Sequence, residues 1–346
     1  VANGVTIALD AMGGDHGVRA AIGGAARLSL EDSGIRVLAV GDISQMDAAL
    51  SAVPHDPRRI QLVAARGVVP MDAHPREALT ELPDCSILTA ARLVAEGEAD
   101  AVVSAGNTGA TVLACATRFK LIPGISRAAL ASVYPTERRH GPRRDPFALM
   151  LDVGATVTAD ADALVGFALM GAAYSSIISE IPSPKVALLS NGAEATKGTP
   201  AIVEAHQRLR SASVDFRGNI EGLDIPRGSV DVVVCDGFLG NVVLKMLEGI
   251  GDVLQNLTHE AGARSLQWKI GLQMLEGGLA ELKRLTDWKG YGGAPLLGFD
   301  HVAIKAHGRS EAGAIRNAIK VAGKAVRGDL QGRIRAAIDA APRSDR

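Results

Sequence analysis

Aromatic residues are scarce in this chain: two Trp, three Tyr and six Phe among 346 residues, or 3%. That leaves little material for the stacking platforms that hold single-stranded nucleic acid. Cysteine is nearly absent too. Cys85, Cys115 and Cys235 are odd in number and far apart, which argues against a disulfide framework or a close-spaced zinc motif. Cys115 and Cys235 fall in apolar stretches and are expected in the core. Neither sign of charge prevails, with 37 Lys and Arg against 38 Asp and Glu and a net charge of −1. No global field draws nucleic acid, so any anion site must be local. A run of ~18 apolar residues is missing, as is a charged start followed by an apolar segment. The expectation is a cytoplasmic protein that does not span a membrane. The eight histidines show no ligand spacing, so no metal is expected. The dinucleotide glycine fingerprint, the Walker lysine motif and the serine nucleophile elbow are all lacking. No cofactor is expected either.

What the chain does have is glycine, 39 residues of it, and a recurring phrase. Ile7–Asp10 runs into Gly13-Gly14-Asp15-His16-Gly17, and Ala101–Ser104 into Gly106-Asn107-Thr108-Gly109. Val186–Leu189 runs into Ser190-Asn191-Gly192, Val232–Cys235 into Asp236-Gly237, and Val302–Lys305 into His307-Gly308-Arg309-Ser310. Each buried-strand signal is followed by a small polar turn and a helical pattern. Ligands of open α/β sheets bind outside the carboxyl ends of strands. Five turns of one character point to a shared site for a small anion.

Strands are expected at Val5–Asp10, Ile35–Val40, Ile60–Ala65, Ala101–Ala105, Leu130–Val133, Phe147–Asp152, Val186–Ser190, Val214–Gly218, Val230–Asp236 and Val302–Ala306. Helical patterns separate most of them, which implies a mostly parallel sheet with helices on both faces. Right-handed crossovers would set the strand-end turns along one edge. Arg138–Asp145 reads as a solvated basic hairpin or loop. Gly251–Gly293 carries no strand signal but holds Trp268, Trp288 and Tyr291. Leu254, Leu257, Leu266, Ile270, Met274, Leu279, Leu282 and Leu285 recur there at helical spacing. A helical hairpin packed on its own core or on a second subunit is the plain reading. A surface for an acyl chain, a carrier protein or a membrane is the sharper one.

Several turns carry chemistry. Asn107-Thr108-Gly109 opens a helix whose free N–H groups favour phosphate, with Thr108 a natural N-cap. Gly13, Gly14 and Asp15 form a glycine-rich strand-to-helix turn in which Asp15 is a cap candidate and His16 a surface residue. Glu194 and Lys197 lie three apart between Gly192 and Gly198, and Lys197 is placed to neutralise a phosphate or an oxyanion. Asp236 ends a buried strand and must be hydrogen-bonded. Gly237 follows it, and Asn241 sits where a helix is expected to begin. His307 titrates near neutrality, and Ser310 stands at an expected helix start.

Taken together, Asp10-Ala-Met-Gly-Gly-Asp-His16, Ser104-Ala-Gly-Asn-Thr-Gly-Ala110, Leu151-Asp-Val-Gly-Ala155, Gly192-x-Glu-x-x-Lys-Gly198, Asp231-Val-Val-Val-Cys-Asp-Gly-Phe-Leu-Gly-Asn241, Tyr291-Gly-Gly-Ala-Pro-Leu-Leu-Gly298 and Lys305-Ala-His-Gly308 are specific in order and spacing. Over nearly its whole length the chain resembles the bacterial phosphate acyltransferases, which make acyl phosphate from acyl-(acyl-carrier protein) and inorganic phosphate. The resemblance implies a three-layer α/β/α fold like that of isocitrate and isopropylmalate dehydrogenases, with a protruding helical pair. Residues 1–330 would form one α/β domain of two lobes around a cleft, with 251–293 as a dimer and membrane-touching tip and 331–346 as a polar tail. It also implies a homodimer, peripheral membrane contact, and a membrane glycerol-phosphate acyltransferase that takes the product.

The chain departs from the family at Leu79-Thr-Glu-Leu-Pro-Asp-Cys-Ser-Ile87, where relatives place several basic residues. Positive charge beside the carrier site is therefore expected to be reduced. The implied chemistry is direct attack of phosphate on the thioester carbonyl, with Lys197 and His307 stabilising charge and Asp236 and Asn241 completing the catalytic set. Gly13, Gly14, Asp15, Asn107, Thr108, Gly109, Glu194, Gly237 and Ser310 would hold phosphate and the pantetheine end. Transfer from acyl-coenzyme A, a non-catalytic carrier-binding protein and a nicotinamide-dependent dehydrogenase remain as alternatives.

Overall fold

Alternation of apolar residues along each strand decides the layers. Ile7 and Leu9 enter one core while Ala8 enters another, and Val103 and Val102 divide in the same way. Side chains of successive strand residues point to opposite faces, so a sheet built from such runs needs cover on both sides. In the computed structural model, residues 4–265, 267, 268, 270, 271, 274, 275, 277, 278 and 292–341 are described.

The strands are β1 (Val5–Asp10), β2 (Ile35–Gly41), β3 (Ile60–Ala64), β4 (Ala101–Ser104), β5 (Ala129–His140), β6 (Asp145–Leu151), β7 (Lys185–Leu189), β8 (Asp215–Ile220), β9 (Val232–Val234), β10 (Ala294–Leu297) and β11 (Val302–Lys305). They form one sheet in the order β3-β2-β1-β4-β11-β10-β5-β6-β9-β7-β8. Helices Gly17–Glu31, Ala161–Ile178 and Ala312–Arg327 cover one face. Helices Ser86–Ala95 and Thr108–Arg118 and the start of Gly237–Arg264 cover the other.

The sheet is mostly parallel, but three neighbouring pairs are antiparallel: β11 with β10, β10 with β5, and β5 with β6. Three reversals leave β6, β9, β7 and β8 running against β1, β4 and β11. The expected single edge of strand-end turns is thus corrected to two opposite edges. The two reversals around β10 cancel, so the net change of direction is made by the β5–β6 hairpin; β10 is the strand that the sequence did not reveal. Its Ala-Pro-Leu-Leu run is four residues long and contains a proline, a residue that weakens a strand signal.

The basic stretch is the β5–β6 hairpin, yet it is not wholly solvated. His140 and Asp145 are buried, and the His140 ring meets the Asp231 carboxylate at 2.7 Å. The stretch assigned as a polar tail carries helix Leu330–Asp339, and Leu330 and Ile334 are buried in the core. Ile338 closes over Gly124. The domain therefore continues to Asp339, because this helix has an apolar side of its own. Helix Ala161–Ile178 is long and apolar enough by composition to cross a membrane, and 78% of it is buried among the other elements. It is the central helix of one core.

Candidate active site

At the carboxyl edge of β1, β4 and β11, the last residue pairs align Asp10 with Ser104 and Ser104 with Lys305. All three are buried. The Ser104 hydroxyl donates to Asp10 Oδ2 at 2.7 Å and accepts the Gly106 amide at 3.0 Å. Asp10 Oδ1 accepts the amides of Met12 and Gly13, both at 3.3 Å. The carboxylate thus folds the glycine turn onto β4. A Cβ at Gly13 would lie 2.6 Å from the Gly106 backbone, so the two turns touch only because both lack side chains.

Lys305 closes the row. Burial drives its ammonium down to about 8, although the Asp10 and Asp15 carboxylates pull the other way. Its Nζ donates to the Ala306 carbonyl. Lys305 was not among the residues read as functional. The signals available for it are its place at the end of an apolar strand run and at the head of the Lys305-Ala-His-Gly308 motif.

The neighbouring turns join this edge. The Asp15 amide donates to the Gly308 carbonyl at 2.8 Å rather than Asp15 capping the next helix. His16 holds the N-cap position, exposed and without a side-chain cap bond. Asn107, not Thr108, caps helix Thr108–Arg118: its Oδ1 accepts the Ala110 amide at 3.0 Å. Its Nδ2 donates to the carbonyls of Pro70, Met71 and Ala73, tying residues 70–73 over the site. Thr108 is exposed and Gly109 lies against Pro75. His307 Nδ1 accepts the Arg309 amide at 3.1 Å. The helix after it begins at Ala312, so Ser310 is not its cap. Ser310 is buried, and its amide donates to the His307 carbonyl at 2.9 Å.

Asp236, Gly237 and Asn241 leave the opposite edge with Asp152. The Asp152 carboxylate is fully buried and accepts four amides, from Leu130, Gly154, Ala155 and Thr156, at 2.6–3.1 Å. Asp236 caps helix Gly237–Arg264 through the Leu239 amide at 2.8 Å. Gly237 is needed because a Cβ there would meet Asp152 Oδ2 at 2.5 Å and also the Thr156 carbonyl. Asn241 lies one turn inside the helix, exposed, not at its start.

Glu194 and Lys197 follow β7 and leave this same edge. Both side chains are exposed, and Asn219 Nδ2 anchors their backbone carbonyls at 2.9 and 3.3 Å. Lys197 and His307 thus come from opposite edges of the sheet. The expected shortage of charge near Leu79–Ile87 is offset by arginines from elsewhere. Arg66, Arg92 and Arg118 line a cleft with Pro83, Asp84 and Leu88. Cys115 and Cys235 are core residues as expected, and burial pushes both thiols up, Cys115 to about 12. Among the described residues, no three His, Cys, Asp or Glu side chains gather as metal ligands would.

This sheet order and these glycine-lined strand-end turns define a three-layer, mostly parallel α/β protein. The phosphotransacetylase of Streptococcus pyogenes superposes with a TM-score of 0.62 over 94% of each chain at 17% identity. EutD phosphotransacetylase of Staphylococcus aureus gives 0.58 at 16% identity, over 93% of this chain and 94% of that one. Residues 5–333 match the family described as "Fatty acid synthesis protein". The phosphate acyltransferase of Desulfitobacterium hafniense (strain Y51) is 43% identical, covering 92% of this chain and 93% of its own. That of Nostoc punctiforme is 41% identical over 95% of both. The chain belongs to the phosphate acyltransferase family.

Proposed function

We propose that this chain converts an acyl thioester of acyl carrier protein and inorganic phosphate into acyl phosphate, with no cofactor, as the first step of phosphatidic acid synthesis. The observation that carries this reading is the buried row Asp10–Ser104–Lys305 beneath the turns at Gly13 and Gly106. It sets a desolvated cation beside two close-packed glycine turns, an arrangement suited to an anion.

This reading needs the two edges to meet at one cleft, and sheet twist supports it. β9 lies six strand positions from β1. At about 20–25° per neighbour, twist turns β9 through roughly 120–150° relative to β1. Because β9 also runs the opposite way, its carboxyl end comes back toward the side that β1 faces. On this reading Lys197 and Asn241 would face Lys305 and His307 across the cleft.

In the reaction, a phosphate oxygen attacks the thioester carbonyl. The C–O bond forms, the C–S bond breaks, and the proton of hydrogen phosphate ends on the released carrier thiol. Lys197 and His307 stabilise the tetrahedral oxyanion, and Lys305 with the Gly13–Asp15 and Asn107–Gly109 turns holds phosphate. Phosphate is itself the nucleophile, so no acyl-enzyme is needed. Alignment of the two partners lowers the barrier by several kcal/mol.

The partners belong to the same reading. Phe238, Val242, Met246, Ile250, Val253 and Leu257 are exposed along one side of helix Gly237–Arg264, as are Trp268, Ile270 and Met274 beyond it. Leu266, Leu279, Leu282, Leu285, Trp288 and Tyr291 lie outside the described residues. Such a stripe supports a homodimer contact continuing into a membrane-touching tip. The protein would be cytoplasmic, passing its product to a membrane glycerol-phosphate acyltransferase.

The test is phosphate-dependent thiol release from acyl carrier protein thioester, with hydroxylamine trapping of the product. Equal yields of thiol and trapped acyl are expected. Thiol release that ignores phosphate would replace this reading with hydrolysis. Acyl-coenzyme A as parallel donor decides between carrier and coenzyme, and the absence of any product would leave a carrier-binding role.

A further inference from the structure

A cleft of about 220 Å³ opens where β3 ends. Arg66 enters it from the residues after β3, Arg92 from helix Ser86–Ala95, and Arg118 from the last turn of helix Thr108–Arg118. Asp84 is the only carboxylate in the lining. Arg92 is shared with Glu96 at 2.7 Å. Among the described residues, Arg66 and Arg118 have no carboxylate within ion-pair distance. Three arginines lining one cleft with a single carboxylate leave a local excess of positive charge that attracts an anion. Their planar donor forks match phosphate oxygens.

Size and position narrow the anion. The cleft falls below the roughly 300 Å³ at which drug-sized ligand pockets begin. It accommodates a phosphate with a few attached atoms. β3 and β1 end at the same sheet edge. Arg66 and Leu88 line the cleft, while Val68, Val69 and Ile87 line a small cavity over Asp10, Gly13, Gly106 and Asn107. The arginine cleft and the Asp10 end of the row therefore lie on neighbouring stretches of the same edge.

We propose that Arg66, Arg92 and Arg118 form a subsite for the phosphate ester of a phosphopantetheine arm, whose thioester end lies at the Asp10–Lys305 row. This rests on the acyl-thioester reading above and deepens it by naming the group that is recognised away from the reacting carbonyl. The charge is carried by the folded cleft rather than by the Leu79–Ile87 stretch. Contacts remote from the reacting atoms act on the ground state and the transition state alike, so they alter KM more than kcat.

The experiment compares acyl-carrier protein, acyl-coenzyme A and phosphate-free acyl-pantetheine as donors for wild type and the double variant Arg66→Gln/Arg118→Gln. Expected is a rise of tenfold or more in KM for one or both phosphate-bearing donors, with less than threefold change for acyl-pantetheine. Which donor responds identifies the source of the phosphate. Arg66→Lys should recover part of the loss. Calorimetry with 4′-phosphopantetheine and pantetheine needs no turnover, so it stands even if acyl transfer is not found. Preferential binding of the phosphorylated compound, lost in the double variant, supports the subsite. Equal loss with all three donors, no loss with any, or a rise confined to the KM for inorganic phosphate overturns it. An unchanged unfolding midpoint of the double variant keeps a folding defect out of the comparison.

Discussion

The Ser104 hydroxyl donates to Asp10 Oδ2 at 2.7 Å across 94 residues of sequence, at the last residue pair of β1 and β4. One bond thereby ties a glycine turn to the start of another and leaves Lys305 as the next polar group along the row.

Replacing Ser104 by Ala leaves one oxygen of a buried carboxylate without its donor. Such a loss costs about 1–3 kcal/mol. Ser104→Ala should lower unfolding free energy by that amount in urea titrations, with an unchanged m-value. A loss below ~0.5 kcal/mol would mean that water replaces the hydroxyl.

Lys305 carries a pH signature. Burial lowers its ammonium to about 8, so the positive charge that Lys305 offers to phosphate is present below that pH and lost as pH rises through it. The KM for phosphate should climb above pH 8 in wild type and stay flat in Lys305→Gln. Identical profiles for the two proteins would remove Lys305 from phosphate binding.

Lys197→Ala should lower kcat by at least ~10²-fold, the lower range for losing an oxyanion contact, while leaving the unfolding midpoint unchanged because the side chain is exposed. Single-turnover measurements with saturating phosphate read this directly. Turnover near wild type would place Lys197 outside the cleft.

Asp231 predicts behaviour in acid. Burial pushes its carboxyl up, but the His140 ring and the Lys185 amide outweigh burial and hold it below its ordinary 3.8. A depressed carboxyl contributes fully above that value and is lost as pH falls through the lower, folded one. The stability gap between wild type and Asp231→Asn should be complete near neutrality and close only below pH 3.8. A gap that persists unchanged there would show that the pair acts by shape and not by charge.

Ten strands were legible because each is a short apolar run closed by small polar residues, and β1 was placed at its observed limits, Val5–Asp10. Capping was legible only by type. Asn107 and Asp236 are the caps, while Thr108 and Asn241, equally plausible by residue type, sit within the helices. Residue type alone does not say which of several small polar residues adopts the extended cap backbone.

The linear chain determined the family, the strand–helix alternation and the glycine turns, since periodicity and motif spacing are local properties. Tertiary structure alone decided which turns share an edge, because the β5–β6 hairpin reverses half the sheet only when β6 pairs with β9 and β5 joins β11 through β10, whose proline-containing run of four looks like loop. It alone also made a buried row of Asp10, Ser104 and Lys305 and an arginine-lined cleft. Residues so far apart in sequence come together only through strand register and helix packing, and Lys305 acquires its shifted charge because that packing buries it.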